Sequence, residues 1–299
     1  IGSEALYYQE TASSNVAVGT AAGKATTTAT ENTLIGYVAG DAITTGSHNT
    51  CLGFTAGSAI TTGANNVCIG RYAGDAINTA SENVAIGTHA LGTCTTGASN
   101  VCVGTRAGDV ITSASGNTIV GDDAGGAITT SPNNTIIGFN AGVGILTGSG
   151  GNVCIGNSAG DALTTGTNNI IIGDTADAAA VDSAQSITLG NGTINALRCQ
   201  VQTISSLSDK RDKKDIKDLD YGLDFINTLR PVKFTWNMRS GDKVDIKEVG
   251  FIAQDLDESQ NKFDAEEYLQ LVLKDNPEKL EAAMGKLLPS MVKAMQELS

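Results

Sequence analysis

The strongest constraint on this chain is a repeat. Asn recurs at 15, 32, 49, 66, 83, 100, 117 and 134, always seventeen residues apart; it returns at 152 after one inserted residue and again at 169, and Ser186 holds the next equivalent place. Gly follows four residues behind, from Gly19 and Gly36 to Gly173 and Gly190. The unit reads Asn-x-x-x-Gly-x-x-Ala-Gly-x-x-Ile-Thr-Thr-Gly, clearest over 32–46. Seventeen residues are too few for a helix pair, and a β-branched run punctuated by Gly and Asn reads as one coil of a β-solenoid or β-roll. Eleven such coils stacked at ~4.8 Å give about 50 Å of rod. The Asn and Gly columns are expected at corners, where positive φ or a tight turn is needed.

Two residues after each Asn stands an apolar column: Ala17, Leu34, Cys51, Cys68, Ala85, Cys102, Ile119, Ile136, Cys154 and Ile171. Its flanking residues, such as Val67 and Ile69, point to the other face of the strand and are apolar as well. A single coil has only one inside. The second face is therefore expected to pack against another chain, with a three-fold bundle as the closed solution. A single-chain solenoid covered by a helix or loop is the competing arrangement, and no segment is left over to cover it.

Composition excludes several functions. Of the net charge of −13 over 299 residues, residues 1–207 carry four basic (Lys24, Arg71, Arg106, Arg198) against thirteen acidic side chains. No basic face exists to bind nucleic acid. The apolar runs are too short to cross a bilayer. The chain starts at Ile1 without Met, as a processed or truncated chain does, so its lack of a signal-peptide pattern is weak evidence. Six cysteines do not make a disulfide framework here. Four of them share the apolar column with Ala, Leu and Ile and read as small hydrophobes, so no metal and no cofactor is expected. Asp41, Asp75, Asp109 and Asp161 share a place that Ser58 and Gly126 also fill, which favours a solvated edge over a calcium ladder. The aromatics of 1–207 (Tyr7, Tyr8, Tyr37, Phe54, Tyr72, Phe139) and its four Glu form no local constellation in the sequence, and His48 and His89 read as isolated loop residues. A shaft or adhesive surface fits that better than a glycan-degrading spike.

At Ser208-Asp209-Lys210-Arg211-Asp212-Lys213-Lys214-Asp215-Ile216 the chain changes into ordinary charged helix-and-strand sequence. The expected organisation is a lead-in (1–14), the repeats (15–190), a neck (191–207) that includes one loosely alternating strand at 197–206, and a C-terminal α+β domain (208–299). Within that domain the patterns predict a helix at 219–229 stopped by Pro231, strands at 232–236 and 249–253, a turn at 240–242 and a helix at 266–273. A last helix at 280–298 is expected to be interrupted by Pro289 and to carry a stripe of Leu287, Leu288, Met291, Met295 and Leu298. Read by itself, the charge run is a solvated helix start capped by Ser208 or Asp209.

Two family resemblances sharpen this. Asn-Val-Ala-Val-Gly (15–19) and Asn-Val-Ala-Ile-Gly (83–87) resemble the head repeats of trimeric bacterial adhesins, and the longer unit is similar to repeats of viral and phage tail fibres. That resemblance implies a trimeric left-handed β-roll. The blocks Ser208-Asp209-x-Arg211-x-Lys213, Gly222-Leu223, Leu229-Arg230-Pro231-Val232 with Phe234 and Trp236, Gly250-Phe251-Ile252-Ala253-Gln254, and Lys293-Ala294-Met295-Gln296-Glu297-Leu298 resemble, over 208–299, the endosialidase-type intramolecular chaperone domain at the ends of phage and viral fibres. What this implies is a homotrimeric α+β chaperone that cuts itself off with a Ser-Lys dyad. Ser208 would be the nucleophile, Lys213 the general base, Leu207–Ser208 the bond cut, and Asp209 and Arg211 supporting positions. It further implies a host-attachment fibre of a virion, assembled in the host cytoplasm, with a host glycan or receptor and other virion proteins as partners. A trimeric adhesin with a non-cleaving cap and a glycan-degrading spike are the alternatives.

The chemistry asks something specific of the lysine. It accepts a proton from serine only when burial or a cationic neighbour favours its neutral form, and Lys210, Arg211 and Lys214 supply nearby charge. Residues five apart lie on opposite faces of a strand and well apart around a helix. Ser208 and Lys213 can therefore meet only across a turn or between subunits.

Overall fold

The computed structural model describes residues 1–146, 148, 150–194, 196–198, 206–239 and 241–299. It divides into two compact units, Ile1–Asn191 and Gly192–Ser299. The first is a parallel β-solenoid. Eleven three-residue strands, β1 (Val16–Val18) through β11 (Ile187–Leu189), form one parallel sheet in sequence order. Each pairs with the strand seventeen residues on, as in Val16↔Thr33, and eighteen on across the insertion, as in Thr135↔Val153. The central residue of the strands from Ala17 to Ile171 is buried and shares the core with two further columns, the Ala of Ala22, Ala39 and Ala56 and the Ile of Ile43, Ile60 and Ile77. Residues 1–14 stack on the first coil, with Gly19, Ala21 and Leu6 donating backbone N–H bonds to Ile1, Ser3 and Ala22.

The Gly column is conformational and steric at once. Gly36 sits at φ 139°, and a Cβ there would drive into the carbonyl of Gly53 one coil on. The Asn column differs from its expected corner role. Asn32, Asn49, Asn66, Asn83, Asn100, Asn117, Asn134, Asn152 and Asn169 are all fully buried, and left-handed backbone falls on the residue before them, such as Glu31, His48 and Glu82 (φ 61–62°). Asn169 Oδ1 accepts from the N–H and hydroxyl of Ser186, and from Asn15 to Asn152 each Asn Oδ1 accepts from the backbone N–H and the side-chain amide of the next Asn, at 2.8 and 3.1 Å for Asn15 and Asn32. The same amide reaches a carbonyl fourteen residues ahead, as from Asn49 to Gly63 at 2.9 Å. A side chain with both donors and an acceptor is what a buried turn between coils needs.

The residues flanking each strand centre remain half-exposed or exposed, Val16, Leu52, Ile137, Ile170 and Ile172 among them. The second apolar face is real, and its side chains stay open to solvent among the described residues. On a neighbouring corner the side chains expected to be scattered come together. Tyr37 stacks on Phe54 (centroids 5.2 Å), Phe54 meets Tyr72 edge-on (5.5 Å), and Tyr72 stacks on His89 (4.8 Å). His48 is also engaged, with its Nε2 3.0 Å from Glu31 of the previous coil. Rings separated by seventeen residues look isolated in a linear reading and are adjacent once coils stack.

The second unit is mixed α/β. Its elements are α1 (Leu223–Ile226), the antiparallel pair β12 (Val232–Asn237) and β13 (Val244–Gly250), α2 (Ala253–Lys262), α3 (Glu266–Leu269), the pair β14 (Val272–Leu273) and β15 (Glu281–Ala282), a 3₁₀ turn at Met284–Leu287 and α4 (Leu288–Glu297). Phe225, Leu256, Ala265, Leu269, Leu271, Val272 and Leu287 make its core. Several expected bounds shift. The helix at 219–229 is a single turn starting behind Gly222. The strand expected at 249–253 ends at Gly250, and α2 starts at Ala253 with few apolar residues to announce it. The helix at 266–273 stops because Gln270 turns left-handed (φ 44°), sending Leu271 and Val272 into the core, with Val272 opening β14. Pro289 does not interrupt the last helix but sits in the first turn of α4, where its missing N–H costs nothing. At the turn expected over 240–242, Gly241 has φ 81° while Ser240 lies outside the described residues, as does most of the 197–206 strand.

Candidate functional site

The charge run folds as one 3₁₀ turn, Lys210–Asp212, set by its own polar side chains. Asp209 caps it, its carboxylate accepting the Arg211 backbone N–H at 2.9 Å. The Arg211 guanidinium folds back onto the same carboxylate, with Nη2 2.6 Å from Oδ2. These hydrogen bonds hold the Asp209 carboxyl below its ordinary range and raise the Arg211 guanidinium. Lys213 closes the turn by donating its N–H to the Lys210 carbonyl, then leaves in extended backbone (φ −122°, ψ 142°).

The consequence is geometric. Lys213 Nζ lies 2.6 Å from Ser208 Oγ, donating to it. Of the two routes the spacing left open, the single chain takes the turn. Asp209 and Arg211 bond to one another around that turn. Ser208 and Lys213 are solvent-exposed, and Leu207 beside them is 84% exposed, so the Leu207–Ser208 bond is open to its surroundings. Lys213, Lys214, Asp215, Tyr221 and Tyr268 line an open hollow on the same surface.

Other blocks singled out in the sequence are joined by contacts that linear order does not reveal. Glu297 at the end of α4 accepts the Leu223 N–H at 2.6 Å, capping α1 across 74 residues. That backbone bond, opposed by desolvation and helped by Lys293, holds its carboxyl below the ordinary range. The Glu297 carboxylate lies against Gly222, in the space a Cβ there would enter. Arg230 pairs with Asp255 in the first turn of α2 at 2.7 Å, tying the Leu229-Arg230-Pro231 block to the one that follows β13.

Residues 208–265 match the family model Peptidase_S74, described as "Chaperone of endosialidase". The chain carries an endosialidase chaperone domain behind a β-solenoid. The match begins on Ser208 and ends at 265, so the Lys293 to Leu298 block stands outside it. No curated protein and no solved structure matches the chain. Endosialidase chaperone domains are typical of phage fibre proteins that process themselves, work as intramolecular serine peptidases and are associated with trimeric fibre assembly. Among the described residues, no helix is long and apolar enough to cross a membrane, and no group of three or more His, Cys, Asp or Glu is placed to hold a metal ion.

Proposed function

We propose that this chain is a homotrimeric fibre or spike protein of a phage or virus, and that its domain from Ser208 onward aligns the three solenoids and then cuts itself off between Leu207 and Ser208. The observation that carries the reading is the 2.6 Å approach of Lys213 Nζ to Ser208 Oγ inside a matched endosialidase chaperone domain. In the reaction Lys213, as the neutral amine, takes the hydroxyl proton, and Oγ attacks the carbonyl carbon of Leu207. The C–N bond breaks, the Ser208 nitrogen leaves with the proton, and an ester links Leu207 to Oγ. Water then hydrolyses the ester, leaving a carboxylate on Leu207 and a free amine on Ser208.

Desolvation favours an uncharged amine. The single chain leaves both dyad side chains in water, so closure of neighbouring subunits over this turn is the step that arms them. Two features support three-fold assembly. The outer face of the solenoid sheet is apolar and uncovered, and the exposed residues Met284, Leu288, Met291, Met295 and Leu298 follow one another at alternating steps of four and three. Host attachment is the role such a rod serves on a virion.

The test is expression of the wild type, Ser208→Ala and Lys213→Ala. The wild type should yield two chains on a denaturing gel, with mass spectrometry finding one that begins at Ser208; each variant should remain a single chain of 299 residues. Fragments of the same masses from either variant would remove the dyad, and an intact wild-type trimer would favour a permanent, non-cleaving cap.

A further inference from the structure

Across coils 15–190 most columns are fixed by stacking. The Asn column carries the hydrogen-bond ladder, the Gly columns admit no Cβ, and the Ala and Ile columns fill the interior. One corner escapes these side-chain demands, the fifth and sixth residues after each column Asn, even though the sixth, such as Tyr72, His89 and Arg106, is held left-handed. There the chain places all of its aromatic rings and both arginines within 15–190: Tyr37, Phe54, Arg71, Tyr72, Arg106 and Phe139. His89 joins them at the same corner.

The contents of that corner are ordered along the rod. Coils two to five carry the unbroken run Tyr37, Phe54, Tyr72 and His89, with the Arg71 guanidinium 4.6 Å from the Tyr72 ring centre. Coils six and seven switch to charge, where Arg106 holds Asp123 through two hydrogen bonds and approaches Asp122 at 3.6 Å. Tyr37 and Phe54 are 52% and 43% exposed, which ring stacking between coils does not by itself require. A scaffold of small residues that gathers its large amphipathic ones into one straight exposed row presents a recognition strip.

We infer that this strip binds an extended neutral glycan, a chain of β-linked hexose or N-acetylhexosamine units lying along the rod axis. The parts of the Tyr37 and Phe54 rings left exposed by the stack meet the C–H groups of pyranoses, and Arg71 together with the Tyr37 and Tyr72 hydroxyls supplies hydrogen bonds to hydroxyl groups. One ring per coil sets a pitch comparable to the length of one pyranose unit. Polyanions are disfavoured, because residues 1–207 carry thirteen acidic against four basic side chains. A nucleic acid, which aromatic rows also stack, is disfavoured on the same ground.

The inference deepens the attachment role proposed above and rests on it, but its test is separate. The full-length protein is titrated calorimetrically with the β-1,4-linked hexamers of glucose and of N-acetylglucosamine, and with polysialic acid as the anionic control. Binding of at least one neutral hexamer is expected, weakened roughly tenfold or more by Phe54→Ala and by the paired Tyr37→Leu, Phe54→Leu exchange, which keeps apolar bulk and removes the rings. Phe139→Ala, a ring outside the run, should bind as the wild type does. Thermal unfolding of each variant should match the wild type, which separates lost binding from lost fold. Failure of both hexamers, binding indifferent to the leucine pair, or a preference for polysialic acid would overturn the strip. Self-cleavage read on a gel of the same preparation tells that failure apart from failure of the fibre reading.

Discussion

Each buried Asn between coils satisfies groups on both sides of itself, and this makes it the least replaceable side chain of the rod. Asn83 Oδ1 takes the backbone N–H of Asn100 at 3.0 Å and its side-chain amide at 3.1 Å, while its own amide bonds Gly97 O at 2.9 Å. Asn83→Ala therefore strands at least one buried N–H and one buried carbonyl. At about 1–3 kcal/mol for each unsatisfied group, the loss should be roughly 2–6 kcal/mol, read as a lower urea midpoint with unchanged slope. A variant within error of the wild type would mean the ladder is ornamental. The sequence showed this column but not its use, since a corner Asn and a buried Asn are spelled alike. The left-handed residue just before the column is Glu31, His48, Asn65 or Ser99 in different coils and left no pattern to read, whereas the left-handed Gly of the Ala-Gly pairs, such as Gly40 and Gly57, did. At Ser208 and Lys213 the spacing narrowed the options to a turn or a partner. The bond from Asp209 to the Arg211 N–H, which folds that turn, is a local capping signal that was present in the sequence. The buried thiols follow the same logic as hydrophobes, with burial pushing Cys94 up to about 11 and Cys154 to about 12.

Among the elements, the solenoid strands were legible because one short pattern is written eleven times, whereas the C-terminal unit offers each pattern once. The strand β12 alternates cleanly and was found; α2 buries only Leu256, Ser259 and Gln260 and gave no apolar period. The last helix was visible from its stripe, and the structure adds that Leu288, Met291, Met295 and Leu298 of that stripe face outward while Leu287 joins the core. Met291 and Met295 are 50% and 68% exposed, while the buried residues of α4 are Ser290 and Ala294. A helix whose apolar side points away from its own core is shaped for other helices, and steps of four and three favour a coiled-coil seam. The paired exchange Met291→Glu, Met295→Glu should leave the domain folded by circular dichroism but shift sedimentation from trimer to monomer and abolish self-cleavage with it. A double variant that still sediments as a trimer would place the seam elsewhere.

Over the whole molecule the difficulty is alignment. Three rods of near-identical coils docked one coil out of step lose about one coil's contacts in eleven, so wrong trimers lie close in energy to the right one. Only the coil between Asn134 and Asn152 differs in length, which penalises slippage at a single rung. A domain that associates without translational ambiguity, placed at one end, fixes the register once and lets coils zip from there. Under the proposed self-cleavage, its removal afterwards would close the route back, leaving the fibre held by its unfolding barrier rather than by an equilibrium. Residues 1–207 expressed alone should therefore yield aggregates and mixed oligomers by light scattering. The cleaved wild-type fibre, once denatured and diluted, should fail to recover its trimer, whereas the uncleaved Ser208→Ala chain should recover it. A uniform soluble trimer from 1–207, or equal recovery of the cleaved and uncleaved chains, would show that the solenoid aligns itself and needs no detachable guide.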